Sequence, residues 1–295
     1  MKEFKILIPL FNDWKSVTKL LYEIDLQLVK WNINVSVVIV NDASTEKKPD
    51  LNLNLNKIQS VKIINIKKNM SHQRCIATGL KHIFVNEKFD RIIVMDADGE
   101  DRPEELNDFL NKSLESPNKT ITANRVKRSE GFLFRFLYQI HKLLTLVFTG
   151  KMIKFGNFSC ITKEHVQQLI KQPHLWNAFS GSVVKTLNDR TSIPSIRGKR
   201  YILPSKMNLA GLVFHSFAII SVFKEVVIAR SIIFSLVYFF LIFNNISILI
   251  FFPIIFLLIF SLIILKISSR SNMDQLNKSL DNISSIDILT SSNSR

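Results

Sequence analysis

In the first third of the chain, short apolar runs alternate with stretches where apolar residues recur every three or four positions. Residues 4–10 (Phe-Lys-Ile-Leu-Ile-Pro-Leu) have the length and composition of a buried strand. After the turn at Asn12-Asp13, Val17, Leu20, Leu21, Ile24 and Leu28 fall at helical spacing. Residues 35–40 predict a second strand ending at Asn41-Asp42-Ala43-Ser44, and residues 61–66 a third. A helix over about 72–85 and a fourth strand over 91–95 follow. This alternation predicts an α/β fold, a mainly parallel sheet with helices on both faces.

The pattern then changes. Residues 132–148 are apolar around much of a helix, with Arg135, His141 and Lys142 interspersed, which fits either a core helix or one lying at a membrane surface. Residues 207–225 form a second amphipathic stretch, read as interfacial because it leads into residues 231–267, nearly all Ile, Leu, Phe or Val. A spanning helix needs about 20 mostly apolar residues. Cutting the run at Asn244-Asn245 yields a two-helix transmembrane hairpin over 226–267, with spans at about 226–243 and 246–265. Residues 268–295 are rich in Ser, Asn and Asp without clear period, and a flexible tail is expected there. Residues 1–206 remain as the globular domain.

Lys224 and Arg230 flank the first span, and Lys266 and Arg270 follow the second. The excess of Lys and Arg on cytoplasmic flanks places the large domain and both termini in the cytoplasm, in a multi-pass inner or plasma membrane protein. Residues 1–10 lead into a strand pattern, so no secretory signal is expected. Cys75 and Cys160 are the only cysteines, too few for a disulfide framework. The formal charge of +15 would suit nucleic acid, but no helix-turn-helix, zinc-finger or RNP-like pattern accompanies it. Anionic lipid and a phosphorylated substrate account for the same excess.

Acidic residues punctuate the predicted strand ends. Asp96-x-Asp98 follows the fourth strand, and Asn12-Asp13 and Asn41-Asp42 follow the first and second. Three acidic turns at one sheet edge make a concave site where open α/β sheets bind ligands. Hard oxygen ligands select Mg²⁺ or Mn²⁺, which take one or two carboxylates and leave the other positions to water and phosphate oxygens. The other reading is a solvated helix start, because Asp101 precedes Pro103-Glu104-Glu105. Neither GxGxxG nor a Walker sequence is present, which argues against a dinucleotide oxidoreductase or P-loop NTPase.

Ile8-Pro-Leu-Phe-Asn-Asp13, Val40-Asn-Asp-Ala-Ser44, Asn69-Met-Ser-His-Gln-Arg74 and Val94-Met-Asp-Ala-Asp98, in that order, resemble the family 2 glycosyltransferases of GT-A fold. Gly156-Asn-Phe158, Ser205-Lys-Met207 and the apolar hairpin are similar to the dolichol-phosphate mannosyltransferase type. The resemblance implies an inverting transferase that takes a UDP- or GDP-sugar donor and polyprenyl phosphate as acceptor. It implies that Pro9 and Asp13 line the nucleotide pocket, and that Asp42 contacts the base or ribose. Asp96 would meet the ribose or the metal, and Asp98 the metal that bridges the diphosphate. Arg197, Arg200 and Lys206 would meet the donor diphosphate and the lipid phosphate, with Arg125 and Arg128 as further phosphate contacts. The basic positions also read as a collar attracted to anionic lipid.

Where relatives often carry Asp-Phe, this chain has Asn157-Phe158, and an Asn cannot act as a general base. A phosphate acceptor needs little deprotonation, whereas a sugar hydroxyl needs a base, for which Glu100 and Asp101 are nearest in sequence. A glycan-hydroxyl transferase and a non-catalytic nucleotide-sugar binder therefore stand as alternatives. A homo-oligomer is also left open.

Overall fold

The structure, a computed structural model, describes residues 1–49, 53–127, 132–202, 209–243 and 251–290. It contains one eight-stranded sheet. The strands are β1 (Glu3–Leu10), β2 (Asn34–Asn41), β3 (Ile58–Ile66), β4 (Arg91–Val94), β5 (Thr120–Lys127), β6 (Ser159–Thr162), β7 (Arg190–Ile196) and β8 (Ile283–Thr290), in spatial order β7-β5-β6-β4-β1-β2-β3-β8. The central β4-β1-β2-β3 block is parallel, as is the β5–β7 pair, while β6 and β8 pair antiparallel to their neighbours. The sheet is thus the mainly parallel α/β sheet expected.

Both faces of the central block are covered, which is why its strands read as continuous apolar runs. Successive side chains point to opposite faces. Phe4, Ile6 and Ile8 of β1 pack with Val17, Leu20, Leu21 and Ile24 of α1 (Trp14–Leu28) and with Phe109 of α3 (Leu106–Glu115). Leu7, from the same strand, joins Val38 and Val40 against Ile76, Leu80 and Ile83 of α2 (His72–Asn86). Helices α5 (Lys163–Leu169) and α6 (Phe179–Thr186) extend that second layer.

Four further helices complete this side: α4 (Phe132–Thr149), α7 (Leu209–Ser221), α8 (Lys224–Ile242) and α9 (Phe252–Ser268). Helices α8 and α9 are long and apolar enough to cross a membrane, and only 11% and 22% of their apolar windows are buried within the protein. A soluble core helix would be mostly buried; here Phe240 is 81% exposed. At about 1.5 Å per residue α8 runs roughly 28 Å, close to the hydrocarbon thickness of a bilayer. Among the described residues the second helix runs from Phe252, with Pro253 in its first turn, where no N–H bond is required. Residues 244–250 lie outside the described residues.

The bases of these helices are built into the domain core. Ile220, Val227, Phe260 and Ile264 belong to the same buried cluster as Leu7 and Leu80. The Phe148 and Phe260 rings lie 4.6 Å apart, and the Arg230 guanidinium donates to the Val147 carbonyl (2.7 Å) at the end of α4. A cation there satisfies an orphan carbonyl and opposes the helix dipole.

The flexible tail expected over 268–295 needs correction. Residues 273–277 form α10 (Met273–Asn277), and β8 adds antiparallel to β3. Gln275 accepts a hydrogen bond from the Trp176 indole at 2.8 Å, and Lys81 donates to the Leu276 and Asn277 carbonyls. The ladder and polar side chains hold β8 rather than burial: Ile288 is 61% exposed, Asn65 donates to Ser285, and Lys48 pairs with Asp287. Of its four apolar residues only Ile283 and Leu289 pack against the cores, yet the strand covers the otherwise open rim of β3.

Candidate active site

The turns after β1, β2 and β4 meet at the carboxyl edge of the sheet. Asn12 and Ala43 adopt positive φ (50° and 53°), and Asn12 ties the first two turns together. Its side-chain oxygen accepts the amides of Thr45 (2.7 Å) and Glu46 (3.0 Å), while its own amide donates to the Ser44 hydroxyl (2.9 Å). Local strain of this kind persists where surrounding bonds over-determine it.

Behind β4 the acids form a layered cluster. Asp96 lies at the centre, and its backbone N–H donates to Asp101 Oδ2 (2.9 Å). Asp101 is 2% exposed and also faces Arg125 (3.5 Å). On the other side His72 Nε2 lies 3.1 Å from Asp96 Oδ1, and the Asn157 Nδ2–H group donates to the same oxygen at 3.1 Å. Desolvation opposes ionisation of Asp96, but His72, Asn157 and Arg125 outweigh it and hold the carboxyl well below its ordinary pKa. Asp101, desolvated and facing Asp96, is pushed up to about 8.

A hydrogen-bond relay orients Asn157. The Phe179 backbone N–H donates to Gln73 Oε1 (2.6 Å), so the Gln73 amide must donate to Asn157 Oδ1 (3.2 Å). That leaves the Asn157 N–H group aimed at Asp96. A carboxylate at position 157 would instead face the charged Asp96, which gives the Asn a physical rationale in this chain.

Asp98 lies one layer outward, 9% exposed, accepting from the Glu100 amide (3.0 Å) and from Arg200 Nη1 (2.6 Å). Arg200 Nη2 also reaches Asp13 (3.2 Å), and Arg197 pairs with Glu100. Desolvation together with the Asp96 and Glu100 charges raises Asp98 to about 6, despite Arg200. The segment carrying both arginines is laid along the acidic turn: Tyr201 N–H donates to the Asp98 carbonyl and Gly198 N–H to that of Glu100, both at 2.9 Å. Gly99 permits this approach, since it has φ +83° and a Cβ there would sit 2.5 Å from the Tyr201 ring.

A single cavity of about 1000 Å³ connects these groups with an apolar corridor. Pro9, Asp13, Asp96, Asp98, Glu100, Arg125, Asn157, Arg197 and Arg200, all expected at the site, line it. Beyond them it continues between Ile140 and Leu144 of α4 and Leu212, Val213 and Phe217 of α7. Thus α4, left open between core and surface, forms one wall of the corridor.

Two expected residues lie elsewhere. Asp42 is 3% exposed, and its two carboxylate oxygens accept the amides of Met70 (2.7 Å) and Ser71 (3.0 Å), fixing the loop before α2 rather than lining the cavity. Asp101 is covered by Asp96, leaving Glu100 as the cavity-lining acid of the two candidate bases. Lys206 and Arg128 lie outside the described residues. Sequence reasoning missed Gln73 as the link to Asn157, and it missed Arg270 and His215 as cavity residues. The only signal for Arg270 was its place beside an apolar span.

Among the described residues no three His, Cys, Asp or Glu side chains converge as a closed metal cage. Asp96 and Asp98 instead form an open, over-acidic pair, which fits Mg²⁺ or Mn²⁺ bound by one or two carboxylates together with phosphate oxygens.

The family model described as Glycosyl transferase family 2 matches residues 5–178. An undecaprenyl-phosphate 4-deoxy-4-formamido-L-arabinose transferase from Erwinia tasmaniensis is 20% identical over 219 residues, covering 72% of this chain and 65% of the relative. The chain thus spans just under two thirds of that relative's length. Among solved structures, glucosyl-3-phosphoglycerate synthase from Mycobacterium tuberculosis, in complex with Mn²⁺, UDP-glucose and phosphoglyceric acid, superposes with a TM-score of 0.54 at 10% identity, over 77% of this chain and 80% of that one. The same synthase with Mg²⁺ and UDP gives 0.50 at 10% identity, over 76% and 79%. At such identity the likeness shows the fold, an α/β GT-A-like domain. With its matched segment running from β1 through the acid cluster to the end of the Asn157 region, this chain belongs to glycosyl transferase family 2.

Proposed function

We propose that this protein is a membrane-anchored glycosyltransferase that moves a sugar from a UDP- or GDP-sugar to polyprenyl phosphate. The observation that carries the reading is the continuity of the cavity, which begins at charged groups suited to a diphosphate and ends between two apolar helices beside α8 and α9. A small soluble acceptor has no use for such a corridor; a phosphorylated lipid does. The relative's name, an undecaprenyl-phosphate transferase, supports this acceptor class, and the Mn²⁺ or Mg²⁺ with UDP in the structural neighbours supports the donor end.

In this reading Asp96 and Asp98 would hold Mg²⁺ or Mn²⁺, which would supply positive charge toward the departing diphosphate. Arg197 and Arg200, now paired with Glu100, Asp98 and Asp13, turn toward the diphosphate as negative charge accumulates on it. His72 lines the pocket beside them, its pKa lowered by desolvation but raised on balance by the adjacent Asp96. An acceptor phosphate oxygen attacks the anomeric carbon as the bond to the donor diphosphate breaks, with inversion. The acceptor is already anionic near neutral pH, so Asn157 serves for positioning and no base is required. Helices α8 and α9 cross the inner or plasma membrane, with the domain and both ends in the cytoplasm. A transferase acting on a sugar hydroxyl would need a base, for which Glu100 is the cavity-lining candidate.

The test is radiolabelled sugar transfer in membranes expressing the protein, with a panel of UDP- and GDP-sugars, added polyprenyl phosphate and Mg²⁺ or Mn²⁺. A mild-acid-labile lipid product that vanishes with Asp98→Ala is expected. Label entering only a glycan, or donor binding without any product, would overturn the reading.

A further inference from the structure

Four arginines line the cavity, and they are not equivalent. Arg125, Arg197 and Arg200 each face a carboxylate: Asp101, Glu100, and the pair Asp98 and Asp13. Arg270 faces none among the described residues. Its guanidinium lies over the Phe214 ring, 4.7 Å from the centroid, and the neighbouring His215 lines the same cavity. An aromatic face supports a cation without neutralising it.

A second arginine stands close by. Arg74, in the first turn of α2, rests over the Trp176 ring at 5.2 Å, and its Nε is buried without a hydrogen-bond partner. Desolvation and then the charge of Arg270 lower the Arg74 pKa, so the two like charges act on each other, with no acid paired to either among the described residues. Two partly buried, unneutralised guanidinium groups are costly to maintain unless an anion joins them.

The position of Arg270 narrows the choice of anion. It comes two residues after the end of α9, and its backbone N–H donates to the Ile267 carbonyl (3.1 Å), which continues the helical turn. The corridor between α4 and α7 belongs to the same cavity that Arg270 lines. An occupant must therefore pair a phosphate with a long apolar chain.

We propose that Arg270, backed by Arg74, binds the phosphate of the polyprenyl phosphate acceptor. The segment just past the second apolar helix, which the chain pattern marks only as a basic membrane flank, thereby reads the charged head of the acceptor. The inference rests on the polyprenyl-phosphate reading above and adds to it the residues that recognise the phosphate. Arg is suited to the task because its planar fork donates two parallel bonds to a phosphate, which Lys does not.

The test is equilibrium binding of tritiated polyprenyl phosphate to the full-length protein in neutral detergent micelles, with the corresponding free polyprenol as comparison. Arg270→Gln is expected to weaken binding of the phosphate form roughly tenfold to a hundredfold, as charge-assisted bonds of this type predict. It leaves polyprenol binding unchanged, and Arg270→Lys falls between. Binding of UDP with Mn²⁺, measured on the same preparations, stays at the wild-type value and shows the variant is folded. Undiminished polyprenyl phosphate binding by Arg270→Gln would overturn the role of Arg270 while leaving the acceptor reading intact. A wild-type protein that does not distinguish polyprenyl phosphate from polyprenol would overturn both. Displacement of the label by phosphatidylglycerol as readily as by unlabelled polyprenyl phosphate would make the site a general headgroup contact and overturn its assignment to the acceptor.

Discussion

The two ends of the cavity are built on opposite principles. At the sheet edge, charged groups crowd together and neutralise one another: Asp96 with His72, Asp101 with Arg125, Asp98 with Arg200, Glu100 with Arg197. Between α4 and α7 the walls are aliphatic and aromatic, and Arg270 faces no carboxylate among the described residues. In the proposed function the charged end would exchange internal ion pairs for a ligand's charges, so its selectivity would lie in replacing one set of partners with another. The apolar end gains from covering surface and excluding water, and so discriminates by length and shape.

Substitutions at each end should therefore fail in different ways. The largest effect is expected for Asp98→Asn, which keeps shape and removes charge: kcat falls roughly a hundredfold to a thousandfold, as for loss of one electrostatic stabiliser of a transition state. Steady-state transfer rates at saturating donor and acceptor check this, and a loss confined to KM would refute the division of labour. At the other end Leu212→Asp places a charge in the corridor; it should lower acceptor efficiency about tenfold while donor binding is unchanged. Separate titrations of UDP-sugar and polyprenyl phosphate distinguish the two.

Between the ends, the wall behind the cavity makes stability depend on pH. Desolvation and then Lys185 lower buried His174 to about 4, and its ring is hydrogen-bonded to Ser182 at 2.9 Å. The neutral form is the folded one, so this contribution is complete above the unfolded value near 6.5 and is lost as pH falls toward 4. Denaturant titrations at pH 7 and 5.5 should differ by roughly 1 kcal/mol from this group, and His174→Asn should flatten the slope. The smallest effect is expected at the far edge, where Lys48→Ala removes the ion pair to Asp287 that tacks β8 down. A half-exposed pair of this kind is worth about 0.5 kcal/mol, readable as a shift in denaturation midpoint with no change in transfer rate.

Much of the charged end was legible in the chain pattern. Apolar runs ending in acids place Asp13, Asp96 and Asp98 at one edge as soon as the sheet is parallel, because every strand then points the same way. Asp42 shares that pattern but does not line the cavity: its carboxylate accepts two loop amides, a contact set by where residues 69–71 return in space. The corridor was half legible. The apolar faces of 132–148 and 207–225 were visible, but that they face each other across a cavity follows from packing on α9, with Phe148 and Phe217 both against Phe260. The C-terminal strand was missed because only Ile283 and Leu289 of its apolar residues are half-buried, the others being exposed, and a backbone ladder leaves no trace in hydropathy.

By itself the sequence determined what local periodicity and composition can carry: the α/β class, the strand ends that bear carboxylates, and two C-terminal helices long and apolar enough to cross a membrane. The tertiary structure alone decided which charges meet. That Gln73 aims Asn157 at Asp96, that Arg200 spans Asp98 and Asp13, and that Arg270 enters the cavity facing no described carboxylate all join residues distant in the chain. Such pairings cost chain entropy that only the packed core repays, so no local pattern announces them.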